Sequence, residues 1–254
     1  MWVLIGCALT IASSGCAEPS NSAPFSRPST SPTQASVDAI LQYTNRWIDN
    51  PAVDLMSAEG TFVRAAMESL DRISMGEGKG EGAIEDAGYP GFLHAYNSVR
   101  NPEKYAGIGR KDQEQVGTLY REVVAFRRDG DNFTAGICTY GSMTATKVYN
   151  GYRSSGTSLP AGSAIWITFG PDPNISSEVQ TSPLTNQRGP RNTPVTDVFG
   201  TWVITSMRVL GANEDLPQCS NTLAPGTSSD APNEYFVQAE PPPTLPPSPG
   251  WPAA

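Results

Sequence analysis

The chain has 254 residues, 38% of them hydrophobic and only 17% charged, with a formal net charge of -8 at pH 7. That length supplies one substantial core once unstructured ends are set aside, and the acidic balance lacks the basic footprint that phosphate contacts require, which removes nucleic acid as a partner. Twenty-three prolines, 24 glycines and few charges describe a loop-rich exported protein.

Residues 2–12, WVLIGCALTIA, form an apolar run of signal-peptide length, well short of the roughly 20 residues needed to span a bilayer. The run ends in Ser13-Ser14-Gly15-Cys16, small residues directly before a cysteine. This ending resembles the bacterial lipobox. The resemblance implies that 1–15 is a removed signal peptide and that Cys16 becomes the lipid-bearing first residue. It also implies a protein anchored at the extracytoplasmic face of the cell membrane. No Lys or Arg precedes the run, a departure from the positive start of most signal peptides; an ordinary cleaved secretion signal and a buried N-terminal segment are the alternatives. Several acyl chains on one cysteine hold durably where a single chain holds marginally.

From 16 to 35 the chain is rich in Ser, Pro and Thr and has too few apolar residues to offset its ordering entropy, so it is expected to be a tether. Extended at ~3.1 Å per residue it reaches about 50 to 60 Å. Residues 240–254, EPPPTLPPSPGWPAA, have the same character and are expected to be a disordered Pro-rich tail. Pro243-Thr244-Leu245-Pro246 fits a PxxP ligand pattern, for which a plain tail is the simpler reading. A single domain over 36–239 remains.

Within it, Val37, Ile40, Leu41, Thr44, Trp47 and Ile48 recur at helical spacing after Ser36, a good N-cap, and predict a helix that Asn50-Pro51 ends. A second helix is predicted from Ser57, with Phe62, Val63, Ala66, Leu70 and Ile73 on one face and Gly76 at its end; Gly60 weakens its first turn. A short third helix follows Pro90. The period then changes to two: strands are predicted at 118–128 and 132–140, joined by Asp129-Gly130-Asp131 as a hairpin, and at 143–149, 164–169 and 198–210. Helices followed by an antiparallel sheet define an α+β domain with helices on one face of a curved sheet. That element order, with Trp202 on a long closing strand, resembles the NTF2-like (cystatin-like) cone over about 36–211. Exported bacterial lipoproteins, actinobacterial ones among them, include domains of this class. The stretch 170–196 is long for a compact cone.

Cys7 leaves with the signal and Cys16 carries lipid, so Cys138 and Cys219 are left as an even pair in an oxidising compartment. A disulfide is the economical expectation, with two separate buried thiols as the alternative. Two cysteines and one histidine do not make a zinc site, and no metal or cofactor is expected. GEGKGEG at 76–82 is not a P-loop: Gly80 follows Lys79 where Ser or Thr is needed, and Glu77 and Glu81 repel phosphate, so a flexible surface loop is expected. A calcium loop from Asp129 fails because Thr134 and Tyr140 stand where Gly and Glu are required. His94, the single histidine, is placed on the solvent side of its helix, and no catalytic residue is assigned.

The leading functional expectation is a non-enzymatic envelope lipoprotein that binds an apolar ligand or an envelope protein, suggested by the anchor, the tether and sheet aromatics such as Trp166, Phe169, Phe199 and Trp202, although core filling is the simpler reading of those aromatics. An NTF2-like isomerase or dehydratase would instead need a carboxylate and a Tyr hydroxyl converging in a closed apolar pocket. A scaffold subunit of an envelope transport assembly would need an exposed apolar patch.

Overall fold

The computed structural model describes residues 37–96, 99, 113–155, 163–209, 217–219, 223–228 and 236–253. Cys16, the signal and the tether lie outside the described residues. Among those described, no helix is long and apolar enough to cross a membrane.

The order is β1 (Leu41–Ile48), α1 (Ala58–Met75), α2 (Gly80–Ala87), α3 (Phe92–Tyr96), β2 (Gln115–Asp129), β3 (Asn132–Tyr140), β4 (Thr144–Val148), β5 (Gly151–Ser154), β6 (Ser163–Pro171), β7 (Trp202–Val209) and β8 (Val237–Gln238). The domain is therefore α+β. One open sheet runs β7-β6-β3-β2-β4-β5-β8 with antiparallel neighbours, and β1 joins β2 in parallel. The hairpin at Asp129–Asn132 closes as its sequence predicts, with Gly130 at φ 61°.

The first predicted helix is corrected. Only 37–40 turn helically, and Leu41 to Ile48 pair with Gln115 to Glu122 as a strand. Tyr, Thr, Trp and Ile favour a pleated, half-buried surface, and alternation gives each face of β1 its own partners. Tyr43 and Trp47 hydrogen-bond side chains of α1, while Thr44 and Arg46 hydrogen-bond the carbonyls of Leu245 and Pro246. A three-and-four spacing of apolar residues occurs here without a helix because both faces of the strand are covered.

Helix α1 starts where expected, with the Ser57 hydroxyl accepting from the Gly60 N–H. Gly60 is required by close approach: a Cβ there would collide with the Asp54 carbonyl. The glycine-rich 76–82 stretch, expected to be a loop, is a turn into α2, with Gly78 and Gly80 at φ 97° and 70°. Phe62, Phe133, Phe169, Phe199 and Trp202 fill the core between α1 and the sheet; Phe62 stacks on Phe169 at 4.7 Å and Phe133 on Trp202 at 5.1 Å. Trp166 lies on the opposite face under the Arg127 guanidinium, 5.6 Å away. That second face has a smaller core of Tyr120, Cys138, Tyr140, Ala164 and Ala224.

The Pro-rich end is the largest correction. Residues 240–253 are not a free tail. Thr118 Oγ1 donates to the Pro243 carbonyl and accepts from the Leu245 N–H, and along the outer edge of β1 the Trp47 N–H donates to the Ser248 carbonyl while the Ser248 N–H donates to that of Asn45. Trp251, 1% exposed, then enters the main core. Proline suits this path: the segment covers a sheet edge while presenting few donors of its own. The domain therefore extends well past 239.

Replacing Trp251 by Ala should cost about 3 to 5 kcal/mol through the cavity it leaves, whereas Trp251→Phe, which keeps most of the packing, should cost markedly less; urea denaturation distinguishes the two. A disordered tail would give no difference from wild type.

Cys138 on β3 is bonded to Cys219, with Cα atoms 5.7 Å apart and a sequence separation of 81. Closing a loop of that length restricts the unfolded chain by about 4 kcal/mol, so reduction, or Cys138→Ala with Cys219→Ala, should lower the urea midpoint by a corresponding amount.

Candidate functional site

Helix α1 places Arg64, Glu68 and Arg72 at intervals of four residues, so all three side chains share one stripe. All three are buried. Glu68 is the centre. Its Oε1 accepts from Trp47 Nε1 at 2.8 Å, and its Oε2 accepts from Tyr89 Oη at 2.8 Å and Trp251 Nε1 at 2.9 Å. Three neutral donors from β1, the α2–α3 turn and the C-terminal segment thus solvate one carboxylate.

Arg64 makes no ion pair among the described residues. Its Nη1 donates to the Leu55 and Gln187 carbonyls, its Nη2 to those of Pro249 and Gly250, and its guanidinium lies 4.4 Å from the Trp251 ring centre. Burial lowers its pKa, and nearby Glu68 counteracts that. Arg72 is held by Asp38 at 2.6 Å and by the Ala87 carbonyl at 2.8 Å. Arg121 on β2 is paired with Asp71 and donates to Asn45 Oδ1. Burial acts most strongly against its cation, but Asp71, Tyr43 and Glu68 together outweigh it and its pKa lies above the ordinary value.

A cavity of about 360 Å³ opens beside this network. Glu68, Tyr89 and Arg72 line its inner part, and Asp38, Gln42, Tyr43, Asn45 and Asn192 line its mouth. Tyr43 Oη donates to Asp71 at 2.8 Å. Burial, and then the neighbouring carboxylate, push both tyrosine pKa values well above 10.0: Asp71 acts on Tyr43 and Glu68 on Tyr89. Neither hydroxyl is set up to release a proton at neutral pH.

The chemistry follows from these contacts. A general base needs a lone pair facing substrate, and both oxygens of Glu68 are already engaged. Glu68 and Tyr89 do converge, as an isomerase or dehydratase would require, but in a polar, partly open cavity. His94 keeps 39% of its side chain exposed and turns Nε2 inward, 3.6 Å from Asp172 Oδ2. Its expected solvent-facing placement is thus only half met. Cys138 is in the disulfide with Cys219 and is no nucleophile. Among the described residues no three His, Cys, Asp or Glu side chains group as metal ligands. Large exposed apolar side chains come from separate segments: Tyr149 between β4 and β5, Val179, Leu184 and Val195 in the long loop, and Val237 on β8.

A wider surface groove of about 1050 Å³ lies at the β2–β3 hairpin, lined by Arg127, Arg128, Asp129 and Asp131 together with Thr134 and Thr168. Its charges are mixed in sign and those of the hairpin are exposed. The smaller cavity at Glu68 is the better built site because its inner wall is fixed by buried hydrogen bonds.

The sequence reading missed every polar member of this site. The signal was present as the Arg64, Glu68, Arg72 spacing on a predicted helix, but three partners of the stripe lie in a strand with helical spacing, a loop and a segment with the composition of a tail. The chain matches no protein-family model, no curated protein and no solved structure, so its geometry is the ground for assigning a role.

The raised tyrosine values give a signed pH dependence. The folded state holds each phenol proton more tightly than the unfolded chain, so stability is fully present below pH 10.0 and is lost as pH rises through the folded values. Urea midpoints measured from about pH 8 to about 11 should fall at the alkaline end, and Tyr43→Phe with Tyr89→Phe should flatten that fall.

Proposed function

We propose that this protein is an exported lipoprotein of the bacterial cell envelope, anchored through Cys16, whose folded domain binds a small polar ligand without transforming it. The observation that carries the binding reading is the saturation of Glu68 by Trp47, Tyr89 and Trp251 beside an accessible polar cavity. Such a carboxylate organises a wall and does not shuttle protons. The disulfide between Cys138 and Cys219 agrees with an oxidising compartment, and the lipobox-like SSGC with its Ser/Pro/Thr tether supports the anchor.

The aromatic residues that suggested an apolar ligand mostly pack on one another: Phe169, Phe199 and Trp202 are all buried in the main core. This moves the ligand reading from apolar to polar. An open, largely antiparallel sheet with helices packed against it supports an NTF2-like cone, and the parallel β1 is an addition to that plan. The Glu68–Tyr89 contact of 2.8 Å favours the isomerase or dehydratase alternative; a scaffold role would act through surfaces away from this cavity.

Two readouts test the proposal. Intact mass of protein extracted from its native envelope should show loss of residues 1–15 and a diacylglycerol-modified Cys16; an unmodified or differently cleaved terminus overturns the anchor. In an NMR titration with the low-molecular-weight polar fraction of that envelope, shifts should centre on Gln42, Tyr43, Asn45 and Asn192 with no new product. Product accumulation, or shifts elsewhere only, overturns non-enzymatic binding at this cavity.

A further inference from the structure

The geometry points to a neutral, polyhydroxylated ligand, a carbohydrate of one or two rings, as the occupant of the cavity beside Glu68. This inference rests on the binding role proposed above and specifies its chemistry.

The argument begins with charge. Three ionic side chains line the cavity, Asp38, Glu68 and Arg72. The cation is committed to Asp38 at 2.6 Å and to the Ala87 carbonyl at 2.8 Å. Glu68 is fully engaged by its three donors. Among the described residues an anionic ligand would therefore find one cation, already paired with Asp38, and would meet two carboxylates. A cationic ligand would have to share Asp38 with Arg72 and lie beside a like charge. Both penalties grow in a partly desolvated cleft, where charges are weakly screened.

Apart from Asp38, the described groups left to face a ligand are neutral, and most can both donate and accept. Asn45 spends its Oδ1 on Arg121 and leaves Nδ2 without a partner among the described residues. The side-chain amide of Asn192 and the hydroxyl of Thr193 likewise have no described partner, and Gln42 uses only its Nε2, towards the Ala39 carbonyl at 3.1 Å. Amides and hydroxyls that both donate and accept match ligand hydroxyls, which also do both. Half-buried Leu41 and Tyr43 add an apolar surface for the C–H face of a sugar ring. A cavity of about 360 Å³ lies at the small end of ligand sites.

The test is calorimetric titration of the purified folded domain, disulfide intact, with N-acetylglucosamine and its trimer, methyl glucoside and maltotriose, alongside inorganic phosphate and spermidine. Binding of at least one sugar and of neither ion is expected. Gln42→Ala with Asn192→Ala, both at exposed positions, should weaken that sugar by about tenfold, while thermal unfolding shows the fold intact. Sugar binding unchanged in this double variant overturns the site. Phosphate or spermidine binding that the double variant abolishes overturns the carbohydrate class and leaves the cavity as a binding site. Binding of none of the probes overturns the carbohydrate class; the binding role itself then stands or falls on the envelope-fraction titration.

Discussion

The fold depends on the solvation of one buried carboxylate. Glu68 is 2% exposed, and an ionisable group so placed is tolerated only when its acceptors are filled. Two indoles and a phenol fill them, and their chain positions lie 21 residues before, 21 after and 183 after Glu68. One helical side chain thus fastens β1, the turn after α2 and the C-terminal segment. The flanking Arg64 adds to the same joint by binding the Pro249 and Gly250 carbonyls. Each contact is ordinary in strength; their joint value is that breaking one leaves the carboxylate partly unsatisfied.

This arrangement explains the character of the cavity. Arg72 and Arg121 are paired with Asp38 and Asp71, and the Glu68 carboxylate is held by neutral donors. The neighbouring surface is left with amides, hydroxyls and the rings of Tyr43 and Tyr89. The mouth is mostly polar and neutral, with Asp38 its one charged side chain among the described residues and paired with Arg72. The aromatic cluster around Phe62 and Phe169 serves the core.

The C-terminal segment shows how sequence character and structural role can separate. Its composition is that of a disordered tail, with proline at many positions and little apolar content. It is nevertheless ordered by donors and acceptors that it does not itself encode: Thr118, the edge of β1, Arg64 and Glu68. Gly189 contributes by omission, since a Cβ there would strike the Trp251 carbonyl. A single tryptophan in a proline-rich stretch was the readable hint, because Trp seldom stays in water when a partner for its N–H is within reach.

Several features were legible from local chemistry alone. Ser57 and Gly76 bounded α1, Asp129-Gly130 set the hairpin, the period of two marked β2, β3 and β6, and two remaining cysteines foretold the Cys138–Cys219 bond. Each is decided by neighbours in sequence or by simple counting. Tertiary structure alone decided that 41–48 is a strand and not a helix, that 240–253 is part of the domain, and that Arg64, Glu68 and Arg72 face inward. The physical reason is shared. Spacing reports which residues lie on one face but not whether that face meets water, and a buried charge is allowed only by partners contributed from distant parts of the chain.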